Sequence, residues 1–229
     1  INTPKAFEFN LYEGALPYGG LEYLAHLGFV GIIVDGLATP LRGKAIHDVI
    51  YEKAEECCGL TDHVEAIRQL GERFSWIDTE RVGIWGASGG GYATARALLQ
   101  FGDFYKVGVS MCGNHDQAIY HAHWGERWMG PYSEEKYYNQ ANHHFAKNLK
   151  GKLFLIHGDM DDNVHPAATI KLIAALIAEN KDFDSLIFPN SAHTVARFPY
   201  VIRKKWDYFV RHLLGQQPPE GFDLTPPKE

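Results

Sequence analysis

The stretch "GIWGASGGGYATARALL", residues 83–99, decides the fold. Its first residues form a short apolar run, as expected of a strand buried on both faces. The chain then turns through glycines around Ser88 and continues in small, helix-compatible residues. A sharp strand-to-helix turn brings two backbones so close that ordinary side chains collide, and Gly86, Gly89 and Gly90 remove those collisions. A serine on such a turn is lifted above the sheet at a helix N-terminus. There the backbone N–H of Gly89 can stabilise an oxyanion.

Outward from this turn, apolar strands and helices alternate, the pattern of a mostly parallel sheet with helices packed on both faces. Strands are expected at 29–35, 81–86, 105–112, 152–158 and 185–190, and helices at 19–28, 61–74, 167–180 and 199–215, with Thr61 as a helix N-cap. An aromatic and His-rich excursion occupies residues 113–148. The tail "QQPPEGFDLTPPKE" from residue 216 is proline-rich and expected to be extended, outside the core. With Ser88 on a nucleophile elbow, the fold class is the α/β-hydrolase.

Composition narrows the rest. The 229 residues, 45% hydrophobic and 13% aromatic, suffice for one substantial domain, expected over 1–215. A net charge of −6, with scattered basic residues, excludes a nucleic-acid footprint, and the "RKK" run at 203–205 reads as a solvated helix face. Cys57 and Cys58 are adjacent and Cys112 stands alone, so no disulfide framework is expected. No apolar run is long enough to span a bilayer. The chain opens on Ile1 in what reads as the middle of a protein, so any leader would lie upstream. The compartment is left open, with a lean to periplasmic or secreted.

A nucleophilic serine needs a base, and the base needs an orienting carboxylate, in the chain order Ser, Asp, His for this fold. "HGDMDDNVHP" (157–166) follows one expected strand and "SAHTVARFP" (191–199) the next. These supply His193 and a choice among Asp159, Asp161 and Asp162. The histidines His115, His121, His123, His143 and His144 lack cysteine or carboxylate partners at ligand spacing, so neither a metal nor a cofactor is expected.

Four stretches together, "DGLATPLRGKAIHD", "RVGIWGASGGGYA", "LFLIHGDMDDNVHP" and "NSAHTVARF", resemble the catalytic domain of the prolyl oligopeptidase family, in particular its dipeptidyl peptidase IV-like branch. The resemblance runs from about Gly19 to Leu214. It implies a serine peptidase with Ser88 as nucleophile, His193 as base and Asp161 as the third member of the triad. It also implies that Asn163 and Val164 contact substrate, and that Tyr120 and Trp124 of "YHAHWGERWMG" (120–130) wall the pocket for the residue before the scissile bond. Flat aromatic faces suit proline or a small apolar side chain. The expected partner is a peptide, trimmed as dipeptides or tripeptides from the N-terminus, with a homodimer as the candidate assembly. An acylaminoacyl hydrolase or esterase on the same triad, and an inactive interaction domain, are the alternatives.

The sequence departs from the family pattern at Ala87, where a large aromatic usually precedes the serine. The resemblance further implies an upstream β-propeller and first strands lying before Ile1. On that reading the chain is a fragment, and a tyrosine from the upstream part supplies the second oxyanion donor, with Tyr18 as the weaker candidate.

Overall fold

The computed structural model describes residues 21–39, 42–53 and 59–224. Four apolar runs form strands, β1 (Val82–Ala87), β2 (Tyr105–Met111), β3 (Lys152–Gly158) and β4 (Asp184–Phe188). They lie side by side in chain order, every neighbouring pair parallel. Parallel neighbours need crossovers that return the chain to the same end. Helix α4 (Gly89–Gln100) links β1 to β2, and α7 (Ala167–Ala178) links β3 to β4. The remaining α-helices among the described residues are α1 (Leu21–His26), α2 (Lys44–His47), α3 (Leu60–Arg73), α5 (Ala122–Met129), α6 (Glu134–Gln140) and α8 (Pro199–His212).

Alternation along the strands divides the core into two layers. Val82, Ile84, Leu153 and Leu155 pack with Leu60 and Val64 of α3, Leu98 of α4, and Leu172 and Leu176 of α7. On the other face Val107, Val109, Met111, Phe154 and Ile156 pack with Val201, Tyr208 and Phe209 of α8. Burying apolar side chains on both faces is what lets these strands read as continuous apolar runs.

Several expectations need correction. Residues 29–35 form no strand. Phe29 packs edge-on against Phe209, but a cleft lined by Phe29, Val30, Ile32, Val82, Gly83 and Trp85 runs between the segment and β1, and Val30 and Ile33 are exposed. An apolar run without ladder bonds is not a strand. Thr61 does not cap α3; Gly59, in a left-handed conformation, holds that place and Thr61 lies in the first turn. The basic run in α8 is not wholly solvated, because Lys205 is buried with its ammonium 5.0 Å from the Trp85 ring centroid. Helix α8 ends at His212, three residues short of the expected 215. The 216–224 part of the tail carries no helix or strand, while Tyr18, Cys57 and Cys58 lie outside the described residues.

The excursion between β2 and β3 is more ordered than its sequence suggests. It holds α5, α6 and two 3-10 segments, Gln117–Ile119 and Asn142–Asn148, and polar bonds tie it to α4. Arg96, 3% exposed, donates to the Asn139 carbonyl at 2.9 Å and the Gln140 carbonyl at 2.7 Å, with its guanidinium over the Phe145 ring. Tyr92 Oη donates to the Gln140 carbonyl, and Asn142 Nδ2 donates to the Tyr92 carbonyl. His115 is fully buried between Ser110 and Asn142, and burial pushes its imidazole down to about 3. It is a neutral core residue.

Candidate active site

The four strands end together, because Ala87 is in register with Met111, Met111 with Ile156, and Gly158 with Phe188. The residues just past these ends therefore share the carboxyl edge of the sheet, the usual place for sites in open α/β folds. Hydrogen bonds run along that edge. The Ser88 amide donates to the Met111 carbonyl (2.9 Å), the Cys112 amide to the Ile156 carbonyl (2.8 Å), and the Asp159 amide to the Phe188 carbonyl (3.1 Å).

Ser88 sits at the turn with φ 59° and ψ −123°, a conformation that costs a non-glycine residue on the order of 1–3 kcal/mol. The glycines make the turn sterically allowed. A Cβ on Gly86 would come within 2.4 Å of the Gly90 backbone, and one on Gly91 within 2.4 Å of the Met111 carbonyl oxygen. The Ser88 side chain makes no cap hydrogen bond to α4. Gly89 opens that helix, where first-turn N–H groups have no intrahelical acceptor.

Past β3, Asp161 is buried and both its oxygens accept hydrogen bonds. Oδ1 accepts from the amides of Asn163 (3.0 Å) and Val164 (2.9 Å), and Oδ2 from His193 Nδ1 at 2.8 Å. His157, on β3 and fully buried, orients the same carboxylate. Its Nε2 lies 2.8 Å from the Val164 carbonyl, which can only accept, so Nε2 carries the hydrogen, and Asp161 Oδ2 is 3.2 Å away. Nδ1 then accepts from the Thr169 hydroxyl at 2.7 Å. No role was expected for His157, and its place in the "HGDMDD" run was the available signal. Asp159, by contrast, accepts from the Ser191 amide at 3.3 Å and so fixes the loop that carries His193.

The electrostatics of the pair follow from this geometry. Burial alone would raise the Asp161 carboxyl, but the hydrogen bonds from His157 and His193 outweigh it and hold the group well below the usual carboxylate range. Burial likewise opposes charge on His193, yet the Asp161 carboxylate and the neighbouring Cys112 sulfur raise it above its ordinary value. The Asp161 contribution to stability is therefore present above about pH 4 and lost as pH falls through its folded value. The His193 contribution is present below about pH 6.5 and lost as pH rises toward its folded value. Both act together between about pH 4 and 6.5. The stability margin of the wild type over His193→Gln, measured by urea unfolding across pH, is expected to peak in that window and shrink on either side.

Of the expected pocket residues, Tyr120 donates its hydroxyl to Asn163 Oδ1 at 2.7 Å, and its ring meets Trp124 edge-on at 6.1 Å. Trp124 in turn packs on the buried Trp128. Val164 is buried and Asn163 exposed. Among the described hydrogen bonds, none joins the Ser88 hydroxyl to His193, although their strands bring both to the same edge of the sheet. Cys112 was not expected here. It sits in a left-handed conformation (φ 41°) just past β2, 1% exposed, with its sulfur 3.7 Å from the His193 carbonyl.

Residues 19–216 match the prolyl oligopeptidase family. The chain belongs to that family. It is accordingly a serine peptidase domain on an α/β-hydrolase fold. It is 31% identical over 210 residues to dipeptidyl peptidase 8 of Homo sapiens, covering 90% of this chain and 23% of that protein. Venom dipeptidyl peptidase 4 of Vespula vulgaris is 31% identical over 201 residues, covering 81% of this chain and 26% of the relative. The crystal structure of Porphyromonas gingivalis dipeptidyl peptidase 4 superposes with a TM-score of 0.73 at 28% identity, over 79% of this chain and 26% of that one. The family domain thus spans about a quarter of the length of these relatives. No described helix is long and apolar enough to cross a membrane.

Proposed function

We propose that this prolyl oligopeptidase family domain hydrolyses peptide bonds through Ser88, His193 and Asp161, releasing short units from peptide N-termini with proline or a small apolar residue before the scissile bond. The observation that carries the reading is the 2.8 Å bond between His193 Nδ1 and Asp161 Oδ2, on the same strand-end edge as the strained Ser88 turn. Asp161, anchored by two backbone amides, fixes the tautomer that leaves His193 Nε2 free to take a proton. Ser88 attacks the substrate carbonyl as His193 takes its proton. The Gly89 amide supports the oxyanion, and His193 returns the proton to the leaving amine. Water then repeats the sequence on the acyl-enzyme.

The Tyr120 and Trp124 rings, held by Asn163 and Trp128, are assigned to the wall of the pocket for the residue before the cut. The unit released and the preference for proline find support in the dipeptidyl peptidases among the relatives. In the intact protein, Trp124→Ala is expected to lower kcat/KM on an X-Pro substrate at least about tenfold. Phosphonylation of Ser88 by a small reagent should stay within about twofold. Equal loss in both measurements would remove Trp124 from the pocket.

A further inference from the structure

Cys112 raises a question the triad does not answer. A buried free cysteine usually serves as a small apolar side chain, yet this one is held in a left-handed conformation between two strand ends, beside an imidazole and a carboxylate. The Cys112 sulfur, a ring nitrogen of His193 and a carboxylate oxygen of Asp161 all lie within 4.8 Å of one another. The three side chains come from three different strand ends, so their meeting is a product of the tertiary fold and of no local motif. Thiolate, imidazole and carboxylate together are the donor set of a borderline-soft cation such as Zn²⁺, whereas Mg²⁺ and Ca²⁺ prefer oxygen alone.

We propose that Cys112, His193 and Asp161 form an inhibitory site for a divalent cation of the zinc class. Donors about 2.0–2.3 Å from a tetrahedral ion lie roughly 3.3–3.8 Å apart, so the His193–Asp161 pair opens from its 2.8 Å contact as Cys112, with all three donors already within 4.8 Å, closes on the ion. His193 is about a quarter exposed (24%), which leaves a route in from solvent, and water fills the fourth position. Binding converts the Cys112 thiol to a thiolate and sends its proton to solvent, and any proton on the coordinating nitrogen leaves the same way. The coordinated imidazole no longer accepts the Ser88 proton, so occupancy stops turnover without disturbing the fold.

Only the inhibitory consequence rests on the proposed role of His193; binding of the ion does not. Titrating the EDTA-treated, intact protein with Co²⁺ should give one equivalent of binding and a thiolate-to-cobalt charge-transfer band in the near ultraviolet, displaced by Zn²⁺. Cys112→Ala and Cys112→Ser, each checked for native circular dichroism, should lose the band and weaken Zn²⁺ binding by about 10–100-fold in calorimetry. In a peptidase assay, inhibition of the wild type by Zn²⁺ should be reversed by EDTA, and half-inhibition of the variants should need at least about tenfold more Zn²⁺. Absence of the sulfur band in the wild type overturns the site, whether or not the protein cleaves peptides. So does equal Zn²⁺ affinity in the wild type and whichever Cys112 variant folds.

Discussion

Ser88→Ala is expected to lower turnover of a dipeptidyl chromogenic substrate by about 10⁴–10⁶-fold while leaving the thermal unfolding midpoint within a few degrees of the wild type. The two readouts separate because the Ser88 side chain makes no cap bond to α4, and the bond that fixes the turn comes from its backbone amide. Alanine keeps that amide and meets much the same backbone strain. Only the hydroxyl is lost. Retention of more than about one per cent of the activity would move the nucleophile elsewhere.

Gly86→Ala should do the reverse and damage the fold first. The added Cβ would stand 2.4 Å from both the carbonyl carbon and the oxygen of Gly90, inside the backbone of α4, where no flexible side chain can yield. Strand β1 and α4 would have to part. The expected cost is at least about 3 kcal/mol by urea unfolding, at the upper end for overpacking because the collision is with main chain. Activity would fall only as far as the folded fraction falls. A loss of less than about 1 kcal/mol would mean that the turn has room the structure does not give it.

The parts of this molecule legible in sequence are those whose physics is local. β1 to β4 could be read because burial on both faces leaves an apolar run, and the elbow because glycine is required where backbones touch. The run at 29–35 misleads for the same reason: its composition matches a buried strand, but whether it gains ladder bonds depends on what lies beside it. α5 and α6, of eight and seven residues, were illegible because long-range bonds from Arg96, Tyr92 and Asn142 hold the segment around them. At the candidate site, Asp161 was distinguishable from Asp159 and Asp162 only through the family pattern. Its bonds from the Asn163 and Val164 amides are local, two and three residues on, whereas the bond from His193 forms only when the ends of β3 and β4 come together. Cys112 lies deeper still, because it becomes significant only when neighbouring strand ends meet, whereas His157 touches Asp161 from four residues away in the same run.

The bonds that Arg96, Tyr92 and Asn142 make between α4 and residues 139–142 also bear on how such a protein can change. Breaking them would strand a buried cation and several main-chain carbonyls without partners, a heavy cost in a low-dielectric interior. The excursion and the helix behind Ser88 therefore open together or not at all. With Tyr120 and Trp124 in the proposed pocket wall, drift in specificity is channelled into exchanging such rings on a stationary frame, and closed to the route of swinging the frame itself.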